Sequence, residues 1–156
     1  MEFIKNQRVA FYASAVAVIM ALVSVIVYGV NTTSEYYVTS GSATISGLVV
    51  AFTILAMVLI IGRVVLAEMF GGNKLFGYVT AFMILAACVF LASAFFAYVG
   101  ERVYDIAVVL ASDLEAGNQA ATDAVMQTIA GFVLYGITLI ISVVSAFFAV
   151  KKDSVA

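Results

Sequence analysis

Residues 128–149 read TIAGFVLYGITLIISVVSAFFA. In steps of three and four, Thr128, Gly131, Tyr135, Thr138, Ser142, Ser145 and Ala149 fall on one helical stripe. The stripe is small or hydroxyl-bearing apart from a single tyrosine, and its surroundings are mainly Ile, Leu, Val and Phe. Such a run meets the roughly 20 apolar residues that a helix needs to cross a hydrocarbon core of about 30 Å. The spacing of about 3.5 residues is the period of left-handed helix packing. Lipid tails are as apolar as leucine, so membrane helices associate through small residues and interhelical hydrogen bonds rather than through apolar faces alone. The stripe is therefore expected to face other helices. The competing assignment is a polar lining for a solute path.

Three further runs have the same character: about 9–30, 45–66 and 75–99, with the quoted one extending over about 125–150. Composition agrees, with 65% apolar and 10% charged residues in 156, against about half and a quarter in soluble domains. A soluble fold of this size has no interior large enough for that excess. Backbone groups in lipid must pair within their own segment, and the alternation of a membrane barrel is absent. The expected fold is a single all-α integral membrane domain, a compact antiparallel four-helix transmembrane bundle. The first run is longer than a signal-peptide core and no A-x-A-like site follows it, so it is read as a retained span.

Lys and Arg set the orientation. With the N-terminus inside, Lys5, Arg8, Arg63, Lys74, Lys151 and Lys152 lie on the inner side and only Arg102 on the outer side. Both termini are therefore expected to be cytoplasmic, with outer loops at about 31–44 and 100–124. The expected location is a cell membrane, taken as a bacterial cytoplasmic one.

The first outer loop, NTTSEYYVTSGSATIS, reads as a short hairpin or an ordered turn, and Asn31-Thr32-Thr33 matches a glycosylation acceptor. In the second outer segment Val103, Ile106, Ala107, Leu110 and Leu114 share one helical face. The third membrane helix is expected to continue past the outer membrane face, end before AGNQ, and dock this face on the first loop near Tyr36 and Tyr37. The inner FGGNK connection is tight, with Gly71 and Gly72 ending the second helix. Small-residue stripes are expected to pack the bundle: Ala10, Ala13, Ala17, Ala21 and Ser24 in the first helix, Thr53 and Ala56 in the second, and Ala86, Ser93, Ala97 and Gly100, with Ala87 and Ala94 beside them, in the third.

Candidate chemistry is sparse. Glu101 and Asp105 lie one helical turn apart and form a candidate outer cation site, weighed against a solvated acidic face. Arg63 is expected to snorkel to the inner surface, and Glu68 to pair with Lys5, Arg8 or Lys74. Cys88 reads as a small core residue, since no histidine exists to activate it. The chain has no His, no cysteine cluster and no glycine-rich phosphate loop, so neither an enzyme nor a cofactor is expected. Net charge −2 without a basic cluster argues against nucleic acid.

Four spans with both ends inside and a larger second outer loop resemble the topology of claudins, tetraspanins and MARVEL proteins. Without Trp and with one Cys, the claudin W…GLW…C…C pattern is impossible, and the tetraspanin Cys-Cys-Gly motif is missing. No family follows from the residues. The expected function is that of a non-enzymatic accessory or interaction subunit, partnered by the lipid bilayer and by another membrane protein or further copies of itself. The alternative is a small oligomeric channel or transporter subunit whose path is lined by Thr138, Ser142 and Ser145.

Overall fold

The computed structural model describes residues 9–70, 74–115 and 117–148. They form α1 (Val9–Thr32), a short α2 (Glu35–Thr39), α3 (Gly47–Phe70), α4 (Lys74–Ala111) and α5 (Gln119–Ala146). The four long helices are each long and apolar enough to cross a membrane, and no strand occurs among the described residues. The first loop is thus the helical turn α2 rather than a hairpin, closed at Gly41, where φ of +75° favours glycine. Phe70 and Phe76 stack at 4.4 Å across the α3–α4 connection. Gly71, Gly72 and Asn73 lie outside the described residues, as do Ala149, Lys5, Arg8, Lys151 and Lys152.

Each long helix buries one narrow stripe. The buried positions are Ala10, Ser14, Ala17, Ala21, Ser24, Tyr28 and Asn31 on α1, and Val49, Thr53, Ala56, Ile60 and Arg63 on α3. Both advance by alternating threes and fours, the seven-residue period of left-handed knobs-into-holes packing. On α1 the buried residue is Ser14, not the expected Ala13, because the 3.5 spacing back from Ala17 lands there. On α4 the bundle uses the expected neighbours Ala87 and Ala94 rather than the main small row. The bundle buries Ile84, Ala87, Leu91, Ala94, Tyr98 and Arg102, leaving Ala86, Ser93 and Ala97 half-covered and Gly100 exposed. Large residues on α4 fill the interior where α1 and α5 supply small ones, so its own small row is not needed there.

Hydrogen bonds fix how the helices register. Moving along α1, Ser14 meets Ser145, Ser24 meets Thr138 and Asn31 meets the Ala124 carbonyl, so partner positions on α5 run backward. Two ends can then be distinguished. The cap end carries α2, the loop to Ser46 and the α4–α5 connection. The tail end carries Phe70, Lys74 and Phe148. Tyr28 joins the start of α3 to α4 at the cap end, accepting from Ser46 N at 2.6 Å and donating to Glu101 Oε2 at 3.0 Å. Beyond that level α4 climbs a further ten residues to Ala111, about 15 Å at about 1.5 Å per residue. It then turns through Gly117 (φ +88°) into α5, whose N-cap Asn118 accepts from Ala121 N.

Candidate functional site

Over its described positions the α5 stripe lies inside the bundle: Thr128, Tyr135, Thr138, Ser142 and Ser145 are fully buried, and Gly131 is buried with them. Each polar group has a partner. Ser142 Oγ donates to its own helix at the Thr138 carbonyl, 2.8 Å away, and Thr138 donates to Leu134 O at 2.7 Å. Thr53 on α3 donates to Val49 O at 2.7 Å, which leaves its oxygen to accept the Tyr135 hydroxyl at 2.9 Å. This is the partner that a buried tyrosine requires. Gly131 has a different role. A Cβ there would lie 2.7 Å from Tyr98 Oη and 2.8 Å from its Cε1. Tyr98 is itself clamped by Tyr28, Phe132 and Tyr135, with ring centroids at 4.8, 4.8 and 6.0 Å. Only glycine lets that ring lie on α5.

At the cap end the stripe joins a polar knot. Asn31 Nδ2 donates to Ala124 O at 2.9 Å, and Asn31 Oδ1 accepts from Tyr98 at 3.3 Å and lies 3.0 Å from Thr128 Oγ1. Thr128 has one proton and a second acceptor in reach, Ala124 O at 2.8 Å, so the Tyr37 hydroxyl 3.0 Å away donates to it. Burial raises the Tyr37 pKa above the ordinary tyrosine value, outweighing the Thr128 hydrogen bond and nearby Arg102, which lower it. The hydroxyl therefore stays protonated at neutral pH. Its contribution is complete below the ordinary value and is lost as pH rises through the raised one. Asn31 is 1% exposed, which removes it as a glycan acceptor.

Arg102 is the hub of the cap. Nη2 donates to Thr32 Oγ1 at 3.0 Å, and Nη1 reaches Ser42 O at 3.1 Å and Asp105 Oδ2 at 3.2 Å. The guanidinium carbon sits 4.1 Å over the Tyr37 ring, a cation–π contact. The expected docking is thereby reversed. Arg102 holds the loop, whereas Val103, Leu110 and Leu114 are 54%, 73% and 95% exposed. A guanidinium satisfies loop carbonyls and hydroxyls that an apolar face cannot. Glu101 and Asp105 turn to different partners, Tyr28 and Arg102. Together with Ser42, Thr44, Ser46 and Arg102 they line an open cavity of about 330 Å³. Among the described residues no group of three or more potential metal ligands occurs.

At the tail end Arg63 does not snorkel. It is 4% exposed; Nη1 donates to Ser145 Oγ at 2.9 Å, and Nη2 to Ser145 O at 3.1 Å and Phe148 O at 2.8 Å. The last carbonyls of a helix have no partner within it, and its C-terminus carries partial negative charge. Arg63 satisfies both at the end of α5. Ser145 Oγ also lies 3.0 Å from Ser14 Oγ, tying α1 to the same point. Cys88 is half-buried against the tail-half core.

Sequence reasoning anticipated the α5 stripe and missed both buried arginines and three fully buried tyrosines, Tyr28, Tyr37 and Tyr98. For four of these a signal existed. Arg63 continues the 3.5 spacing of Thr53, Ala56 and Ile60, Tyr28 that of Ala21 and Ser24, and Tyr98 that of Ala87, Leu91 and Ala94, with Arg102 one turn beyond Tyr98. Comparison with known protein families, curated proteins and solved structures finds no match to this chain.

Proposed function

We propose that the chain is a non-enzymatic four-span membrane protein acting as an accessory or interaction subunit of a membrane complex. In this reading the bundle is antiparallel, with the tail end cytoplasmic and the cap end outside, in a cell membrane of the bacterial cytoplasmic type. The observation that carries it is the closure of the hydroxyl stripe. The side chains that would line a path are instead buried, Thr138 and Ser145 bonded to neighbouring helices and Ser142 to its own helix. Apolar grooves of about 310 Å³ between α1 and α3 and about 220 Å³ between α1 and α5 include no α5 hydroxyl in their walls. What the protein offers its surroundings in the spans is aliphatic and aromatic surface. The orientation rests on the basic residues other than the two buried arginines: Lys74 at the tail end, with Lys5 and Arg8 before α1 and Lys151 and Lys152 after α5 in the sequence.

The test is thiol accessibility. In a Cys88→Ser background, Thr138→Cys and Ser142→Cys are expected to resist a small, water-soluble, membrane-impermeant thiol reagent, whereas Ala43→Cys, exposed on the cap loop, reacts from outside. Rapid modification at Ser142→Cys would establish a hydrated path and replace this reading with the channel one.

A further inference from the structure

The open cavity of about 330 Å³ at the cap end has a wall of polar residues alone. Its volume falls in the range of small-molecule sites, about 300–1,000 Å³. One side is every second residue of the loop before α3, Ser42, Thr44 and Ser46; the other is one turn of α4, Glu101, Arg102 and Asp105. The loop is held through its backbone. Ser42 N donates to Tyr37 O at 2.9 Å, Ser42 O accepts from Arg102, and Ser46 N donates to Tyr28 Oη. The three hydroxyls take no part in those bonds.

Arg102 stands in this wall with one donor unanswered. The residue is 2% exposed. Nη1 is engaged by Ser42 O and Asp105 Oδ2 and Nη2 by Thr32 Oγ1, yet Nε has no partner among the described residues. A buried donor without an acceptor is costly, and native proteins supply one from protein, water or a ligand. Acceptors are open as well. Asp105 spends one carboxylate oxygen on Arg102 and Glu101 one on Tyr28, which leaves the second oxygen of each.

The wall selects by chemistry. An apolar ligand finds no apolar side chain in it. An anion meets two carboxylates, and the guanidinium fork that would clasp it is already taken. A hard metal ion needs six to eight oxygens and would sit beside a guanidinium. An ammonium has donors only and leaves Nε unanswered. A hydroxyl both donates and accepts, so one kind of group serves both sides of the wall.

We propose that the cap cavity binds a neutral polyhydroxy compound, a saccharide, whose hydroxyls donate to Glu101 and Asp105 and whose oxygens accept from Arg102 Nε and the loop hydroxyls. The sugar is either free in solution or the headgroup of a glycolipid. Such binding goes beyond the interaction-subunit reading and requires no particular orientation in the membrane; thiol accessibility at Thr138 and Ser142 tests that reading separately.

The experiment has two arms on the full chain. In the first, maltose and sucrose are titrated by calorimetry in a detergent without a sugar headgroup. In the second, the chain is released from nanodiscs containing a glucosyl diacylglycerol, and retained lipid is read by native mass spectrometry. Saturable binding in the first arm assigns a free saccharide; retention in the second arm alone assigns a headgroup. In either case Thr44→Val and Ser42→Ala should weaken binding about tenfold each at an unchanged unfolding temperature. Thr33→Val, exposed but outside the cavity, should bind as the parent does. No binding in both arms, or equal binding by Thr44→Val and Ser42→Ala, would overturn the proposal. So would a sugar effect that rises linearly without saturation, the mark of exclusion from the protein surface.

Discussion

Among the described residues Arg63 and Arg102 are the two buried cations, one at each end of the bundle, and they are held differently. Arg63 is bound by a hydroxyl and two carbonyls from the end of one helix. Arg102 is shared among a threonine, a loop carbonyl, a carboxylate and an aromatic ring, and its Nε is left without a partner among the described residues. The tail-end arginine adds a charged donor at the last carbonyls of α5, Ser145 O, which also accepts from Phe148 N, and Phe148 O. The cap-end arginine fastens a loop. The first interaction is local, neutral on the acceptor side and deep; the second is distributed and meets water through Asp105, whose side chain is 19% exposed.

Removing Arg63 should therefore do the most damage. Arg63→Ala deletes hydrogen bonds from a charged donor and opens a gap, with an expected loss of about 3–5 kcal/mol. The α5 end should fray and become accessible to carboxypeptidase. Chemical unfolding in detergent measures the first effect and protection of the C-terminal segment the second. Stability equal to the parent would return Arg63 to the surface. Arg63→Lys should recover only part of the loss, because one ammonium cannot reproduce the guanidinium fork.

Arg102→Ala should cost less, about 1–3 kcal/mol, and the damage should be confined to the cap. Hydrogen exchange is expected to quicken over Glu35–Ser46 while the tail half stays protected. Uniform loosening would mean that the two ends are not independent. Asp105→Asn is the mildest change. A partly solvated pair contributes at most about 1 kcal/mol, and the Thr32 and Ser42 contacts remain. A calcium-dependent gain in stability that Asp105→Asn abolishes would contradict this and make the carboxylates a cation site.

The two ends also show how far the sequence carries. Hydropathy and length locate all four spans, and the small and hydroxyl residues of α5 mark its buried stripe from Thr128 to Ser145. The 3.5 spacing passes through Arg63 as surely as through alanine, and Arg102 lies one turn beyond Tyr98, yet a charge in a membrane helix is naturally assigned to water. Its burial depends on acceptors far along the chain, Ser145 and Phe148 for one and Thr32 and Ser42 for the other. The face of α4 is harder for another reason. Both its rows repeat with the same period, so periodicity says that two faces exist and not which one the bundle uses. Bulk decides it: Tyr98 and Leu91 fit against the glycine and small residues of the other helices.

The central claim is that the α5 stripe is a tight helix contact, and two glycines five residues apart on that helix test it directly. Gly131→Ala places a methyl against the clamped Tyr98 ring, whereas Gly136 has nothing within 4 Å of the same position. In a helix interior, glycine to alanine is favourable by up to about 1 kcal/mol, while overpacking costs about 1–3 kcal/mol. Thermal unfolding in detergent should show Gly136→Ala at or above the parent and Gly131→Ala clearly below it. Equal unfolding temperatures for the two variants would contradict the contact and reopen the stripe as a path.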